Sequence, residues 1–336
     1  MNYLIEAIFL LLVAFFISII IGKPIINFIK KKKANQPILN YVENHNSKSG
    51  TPTMGGIIFL FSFLATTIFF VDGYVRHIYI CIIFMLVNTS VGIYDDILKI
   101  RNKQNEGLKP WQKLIVQFIS SLLFGLYLYY SGLTYLIIPF SKISINLKFW
   151  IVPIVVIVAI FFVNCSNLTD GLDGLDSFIA CVVSVALGVI LWLISRGGVL
   201  ASIKITEFYQ NFAIVLQIFF GAILGYIFYN CYPAKIFMGD TGSLSIGAFL
   251  VAVSFATGTI IFLLLFGIMY IASGVSVLLQ VAYYKLTKKR IFLMAPLHHH
   301  FELKKIHESK ITTVYTMVTL IVSLLVILIE LKVVFL

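Results

Sequence analysis

Long apolar runs separated by short polar segments dominate the chain. Ten of them approach or exceed the roughly 20 mostly apolar residues that cross a bilayer as a helix. They are Tyr3–Ile21, Thr53–Val71, His77–Tyr94, Lys113–Ser131, Phe149–Asn164, Leu175–Ile194, Phe212–Asn230, Leu244–Thr259, Ile260–Tyr284 and Ile311–Val333. The runs are continuous rather than alternating, which excludes a membrane β-barrel. Those near residues 149 and 244 are short, so their ends are the least sharply drawn. Residues 132–148 and 195–211 read as loops, and the alternation over Ser141–Leu147 predicts a short hairpin. Ile260–Tyr284 is longer than one crossing and contains Gly267 and Ser273-Gly274, which predicts a break or a strong tilt. Ile291–Leu297 is apolar within a basic loop and is expected to dip into the membrane interface. No solenoid-type repeat is visible.

Composition agrees with this pattern. Of 336 residues, 60% are hydrophobic and 12% charged, about half the charge of a soluble globular chain. A soluble, disordered or fibrous protein is excluded, and the expected fold is an all-α polytopic membrane protein. The net charge of +11 then reports topology rather than nucleic-acid binding. The first run has no positive charge ahead of it and no small-residue cleavage site behind it, so it reads as a span and not a signal peptide. Loops 22–52, 95–113, 165–174, 232–243 and 285–310 carry 19 of the 25 Lys and Arg residues. That asymmetry places them in the cytoplasm and both termini outside. Cys81, Cys165, Cys181 and Cys231 lie in or beside apolar runs, without disulfide or zinc spacing. They read as small buried hydrophobes.

Six of the seven aspartates fall on the expected cytoplasmic side, where runs meet loops: Asp95, Asp96, Asp170, Asp173, Asp176 and Asp240. Ionisable groups at such boundaries are costly and usually functional, although one alone would read as a helix cap. In Tyr94-Asp95-Asp96 the adjacent carboxylates repel unless a cation is near, and Lys99, Arg101 and Lys103 follow within two turns. This suits carboxylates holding Mg²⁺ beside cations holding phosphate; a charged loop paired with itself fits the segment equally. In Asn164–Asp176 the aspartates are three apart, which predicts one side of a helix start capped by Thr169 or Asp170. Its N–H groups would attract a diphosphate, and Gly171 and Gly174 would allow close approach.

Phe237–Ser243 enters a run with Asp240, two hydroxyls and a helix N-terminus, which again suits Mg²⁺ and phosphate. Phe237 offers a ring to a base, or packs against lipid or core. His298, His299 and His300 are too close together for zinc on one helix face. They read as phosphate donors, a proton-transfer group or a surface tract. Lys48, Gly50 and Thr51 form a candidate phosphate nest before Pro52, which suits a helix start.

Together, Lys48–Gly56, Tyr94–Lys99, Asn167–Leu175, Gly239–Gly247 and Ala295–Glu302 resemble the phospho-N-acetylmuramoyl-pentapeptide transferase family. That family belongs to the polyprenyl-phosphate N-acetylhexosamine-1-phosphate transferases. The Ala-Pro-Leu-His-His-His-Phe-Glu stretch discriminates best, because sister families carry a different His motif there. The resemblance implies a single transmembrane transferase domain over residues 1–336, in the bacterial cytoplasmic membrane. Undecaprenyl phosphate would attack the β-phosphate of UDP-N-acetylmuramoyl-pentapeptide, giving lipid I and UMP in peptidoglycan synthesis. It also implies Mg²⁺, a homodimer, and inhibition by nucleoside antibiotics such as tunicamycin.

Carried over by motif position, Asp240 is the main Mg²⁺ ligand, with Asp95 and Asp96 close by. Asp95 is the first choice of base on the lipid phosphate; Asp96 is the second, or a nucleophile in a two-step reaction. His298 contacts diphosphate, and Lys48 and Lys103 neutralise charge. The same reading places Thr51, His299 and His300 at the substrate. Asn167, Asp170, Gly171, Asp173, Phe237 and, on loop position alone, Asn230 and Gln280 form the uridine pocket. A break in Ile260–Tyr284 would open a groove for the undecaprenyl chain. Three other readings compete: a sister transferase using UDP-N-acetylglucosamine, a secondary transporter and a structural subunit. A transporter would place its carboxylates near the midplane, often with repeats.

Overall fold

A computed structural model describes residues 3–31, 50–70, 75–102, 107–196 and 203–335. The helices are α1 (Tyr3–Lys31), α2 (Gly56–Phe70), α3 (Val75–Asn102), α4 (Pro110–Tyr130), α5 (Ile151–Thr169), α6 (Leu175–Arg196), α7 (Ile203–Asn230), α8 (Gly239–Ala256), α9 (Ile260–Phe266), α10 (Ile268–Thr287), α11 (Leu297–Leu303) and α12 (Glu308–Phe335). Among the described residues eight helices are long and apolar enough to span a membrane, or nine if the bent pair α9 and α10 is one span. α2, with 15 residues, is a shorter apolar helix, so eight to nine of the ten expected crossings are matched by span-length helices. The chain is therefore a multi-pass, all-α membrane protein.

α8 is the centre of the bundle. From Thr241 to Ala256 every residue is buried, and α2, α3, α5, α6 and α9 pack against it. Its Gly, Ser and Ala content lets neighbouring backbones come close, which drives packing where lipid removes the hydrophobic advantage. Phe63, Phe219 and Phe249 fill one side, with ring centroids 4.5–5.1 Å apart. α1 follows the same logic. Ala7, Ala14, Ser18 and Gly22 form its buried face, while Ile8, Phe9, Leu12 and Phe16 are exposed, as lipid-facing residues are.

Several boundaries differ from expectation, each for a local reason. The second run starts its helix at Gly56 rather than at Pro52 or Thr53. The preceding segment stays extended because it pairs with the approach to α8: Phe237 N donates to Pro52 O at 2.8 Å, and Gly55 N to Phe237 O at 2.8 Å. α5 continues past Asn164 to Thr169. Its polar last turn finds partners, as Thr169 Oγ1 donates to Cys165 O and Ser166 Oγ to Ser243 O. The expected helix start along Asp170–Asp176 is corrected accordingly. Asp170 ends α5, Asp173 lies in the turn, and Asp176 alone of the three is in the first turn of α6.

The expected break falls at Gly267, where α9 and α10 bend by 77°. A Cβ there would lie 2.7 Å from the Phe162 ring. The predicted hairpin is present as β1 (Tyr135–Ile137) antiparallel to β2 (Ser144–Asn146). It docks on the α8–α9 turn through Ile137 N donating to Gly258 O at 2.9 Å.

Candidate active site

α3, α4 and α8 bring five charged side chains to one point. Oxygens of Asp95, Asp96 and Asp240 lie within 4.8 Å of one another. Lys99 Nζ is 2.7 Å from Asp95 Oδ2 and 3.1 Å from Asp240 Oδ1. Lys113 Nζ, from the first turn of α4, is 2.8 Å from Asp95 Oδ1 and bonds Asp240 Oδ2. Both lysines thus bridge the same two carboxylates. The Asp95 side chain is fully buried and that of Asp240 is 14% exposed. Buried carboxylates persist only when cations or hydrogen bonds compensate lost hydration.

Asp96 has different partners. It accepts from Asp240 N at 3.2 Å, Thr241 N at 3.0 Å and Thr241 Oγ1 at 2.7 Å. It caps the first N–H groups of α8 from a neighbouring helix. Asp95 Oδ1 additionally accepts from Leu108 N at 2.7 Å. Two glycines make this geometry possible. A Cβ on Gly92 would lie 2.3 Å from Asp240 O, and one on Gly107 would lie 2.3 Å from Asp95 Oδ1. Thr241→Val should therefore remove one charge-assisted bond and destabilise the protein by about 2 kcal/mol. A lowered melting temperature with weaker turnover is expected; no shift would show that the hydroxyl does not hold Asp96.

The loop after α5 forms the next part of the site. Asn167 Nδ2 donates to Ser243 Oγ at 2.9 Å, tying α5 to α8 beside Asp240. Burial, then the carboxylates of Asp176, Asp240 and Asp96, hold Asp170 well above the usual carboxylate range. Gly171 is in contact with His298, since a Cβ there would be 2.2 Å from Nε2. His298 is buried, and neither ring nitrogen has a hydrogen-bond partner among the described residues. Burial, then His299, pushes it well below the ordinary histidine value, leaving a neutral imidazole with one donor and one acceptor. Asp170 and Gly171 thus link the carboxylate centre to the His loop.

Other expected residues are held by their own loops. Asp173 Oδ2 accepts from Ala234 N at 3.0 Å. Asn230 accepts from Ser177 Oγ at 2.7 Å and donates to Ile236 O at 3.1 Å. Together they shape the segment leading to half-buried Phe237. Gln280 Oε1 accepts from Ile291 N and Phe292 N at 3.1 and 2.9 Å. His299 Nδ1 pairs with Glu302 at 2.8 Å, and His300 Nδ1 accepts from Leu293 N at 3.1 Å. Thr51 is half-buried beside Pro52. Lys48 and Lys103 lie outside the described residues.

Lys113 and Thr241 were not singled out by sequence as site residues. Lys113 carried a faint signal, as the basic residue that opens an apolar run directly. Chemically, the centre offers hard oxygen donors that suit a metal ion, two ammonium groups that suit phosphate, and an adjacent neutral histidine.

The profile of glycosyl transferase family 4 matches residues 77–258, and the phospho-N-acetylmuramoyl-pentapeptide-transferase signature 1 matches residues 48–60. The chain is 38% identical over 322 residues to a phospho-N-acetylmuramoyl-pentapeptide-transferase of Clostridium novyi, covering 95% of each chain. It is 36% identical over 329 residues to that of Campylobacter lari, covering 94% of this chain and 92% of the other. For Caldanaerobacter subterraneus the identity is 37% over 317 residues, with 94% and 96% covered.

Proposed function

Since the chain belongs to the phospho-N-acetylmuramoyl-pentapeptide transferase family, we propose that its lysine–carboxylate centre joins undecaprenyl phosphate to the β-phosphate of UDP-N-acetylmuramoyl-pentapeptide. UMP leaves, and lipid I stays in the membrane. The chain is a phosphoglycosyl transferase of peptidoglycan synthesis. The observation that carries the mechanism is the joint bridging of Asp95 and Asp240 by Lys99 and Lys113 at the end of three membrane helices. One substrate is a water-soluble nucleotide and the other a lipid. A site at helix ends meets both, and the excess of basic residues in these loops supports a cytoplasmic face of a bacterial inner membrane for it.

Phosphoryl transfer is chiefly positioning and charge neutralisation. Lys99 and Lys113 offer ammonium groups to phosphate oxygens. Asp95, whose two oxygens face these lysines, takes the proton of the acceptor phosphate. Asp96 accepts from the amides of α8 and positions Asp240; it is the second candidate for the base, or the nucleophile of a two-step reaction. Asp240 and Asp95 would hold Mg²⁺, which when bound adds neutralisation of the diphosphate. His298, unpartnered at Gly171, donates to the diphosphate, and Lys48 and Lys103 add positive charge from their loops. Asn167, Asp170, Gly171 and Phe237 receive the uridine, on a surface that Asp173, Asn230 and Gln280 shape. Thr51 borders it, and His299 and His300 hold the His loop that carries His298. A homodimer and binding of nucleoside antibiotics at the uridine pocket complete this reading.

The test is UMP release by purified protein with undecaprenyl phosphate and Mg²⁺, run with the muramoyl-pentapeptide donor and with UDP-N-acetylglucosamine. Release with the first donor alone is expected, falling about a hundredfold or more with EDTA. Release with the glucosamine donor alone would move the chain to a sister specificity. Full activity in EDTA would remove the metal from the mechanism.

A further inference from the structure

Of the six aspartates at the helix ends, Asp176 alone has no part in the reaction described above. It lies in the first turn of α6 with 1% of its surface exposed. We propose that Asp176 is a positioning residue for the UDP-linked donor, clamping the base of the loop between α5 and α6 so that Asn167 and Asp170 stand at fixed places beside α8; this rests on the transferase reading above.

Three observations carry the assignment. The first is that Asp176 is not spent on its own helix. A carboxylate in a first helical turn usually satisfies the free N–H groups there. Asp176 Oδ1 instead faces Ser166 Oγ of α5 at 3.3 Å, ten residues back along the chain. Oδ2 has no hydrogen-bond partner among the described residues. A buried carboxyl with so few bonds is a cost to the fold, so the stability of α6 does not explain it.

The second is what Ser166 holds in turn. The same hydroxyl donates to Ser243 O at 2.9 Å. The next residue, Asn167, donates from Nδ2 to Ser243 Oγ at 2.9 Å. Ser243 Oγ reaches Gly239 O at 3.2 Å, beside Asp240. Two successive residues of α5 are thus pinned to one residue of α8, and Asp176 braces them from α6. The contact between Asp176 and Ser166 spans the base of the segment that carries Asp170, Gly171 and Asp173. Without it the ends of that segment can part, and Asn167 and Asp170 shift relative to Asp240.

The third is the anchoring of Asp176 itself. Its carbonyl oxygen accepts from Tyr270 OH at 3.1 Å. Tyr270 is fully buried just beyond the α9–α10 bend. Its ring stands edge-on to Phe162 of α5, with centroids 5.5 Å apart. The brace is therefore fixed from α10 as well, and a fixed brace holds a loop at a definite distance.

Asp176→Ala tests this by removing the acceptor that faces Ser166. The KM for the UDP-linked donor should rise about tenfold, with kcat and the KM for undecaprenyl phosphate near wild type. Asp176→Asn keeps an oxygen for Ser166 and should restore the donor KM. Ser166→Ala breaks the same link from the other side. It should raise the donor KM alike, and the double variant should be no worse than either single one. Ser184→Ala, which loses a buried bond to Ala180 O within α6, should change none of these values.

A second measurement needs no turnover. The Kd for UMP, read by calorimetry, should rise in Asp176→Ala and Ser166→Ala and stay near wild type in Asp176→Asn. If Asp176→Ala does not fold, Ser166→Ala and Asp176→Asn still decide the matter. Equal rises in both KM values, a loss of kcat alone, additive effects in the double variant, or an Asp176→Asn protein as impaired as Asp176→Ala overturns the proposal. An unchanged donor KM in variants of an active wild type overturns it while the transferase reading stands. A wild type that releases UMP from neither donor overturns that reading and this one with it.

Discussion

Asp95→Asn should lower UMP release about a thousandfold while leaving a folded, purifiable protein. The argument is geometric. Asparagine keeps the shape of the side chain and an oxygen for Leu108 N, which Asp95 accepts at 2.7 Å. Lys99 and Lys113 keep Asp240 as a partner, so neither ammonium is left buried without a counter-charge. What disappears is the proton acceptor facing the two lysines and one of the oxygens that would hold the metal. Single-turnover rates and melting temperature, measured together, decide the matter. Activity within tenfold of wild type would remove Asp95 as the base. Asp96→Asn should behave differently. Its carboxylate holds Asp240 N, Thr241 N and Thr241 Oγ1, so its loss should appear first as lower stability, with activity falling because Asp240 moves.

Gly92→Val should be the most damaging substitution outside the charged residues. A Cβ at this position would lie 2.3 Å from Asp240 O, 2.5 Å from Asp240 C and 2.7 Å from Thr241 N. All three are backbone atoms at the start of α8, so no flexible side chain can give way. Relief requires α3 and α8 to separate, which pulls Asp96 from the N–H groups it caps and parts the carboxylates. Overpacking of this kind costs about 3 kcal/mol, and UMP release should fall below detection. Gly92→Ala should show the same sign with a smaller effect. Ile97→Ala, on the exposed face of the same helix, should leave both properties near wild type. A Gly92→Val protein with normal melting and turnover would contradict the close crossing of α3 and α8.

The carboxylates were legible in sequence because a charged group at the end of an apolar run stands out against its surroundings. Asp95, Asp96 and Asp240 meet as their motifs implied, and the glycines at 171 and 267 mark a close approach and a bend. Lys113 was not legible as a site residue. Five basic residues lie between positions 95 and 113, and nothing in their spacing distinguishes the two that bridge Asp95 and Asp240. His298, His299 and His300 were equally alike. The helical turn of α11 separates them, burying His298 at Gly171 and turning its neighbours to Glu302 and Leu293.

By itself the sequence determined the solvent this protein folds in, the order of its crossings and the helix ends where its charges collect. Those properties follow from local hydropathy and length, which bilayer thickness makes almost decisive. Tertiary structure alone decided which charges pair, and that Asp96 caps α8 while Asp95 faces the lysines. Such choices depend on how closely distant helices approach. That distance is set by side chains and glycines meeting across the bundle, not by the pattern along any one run.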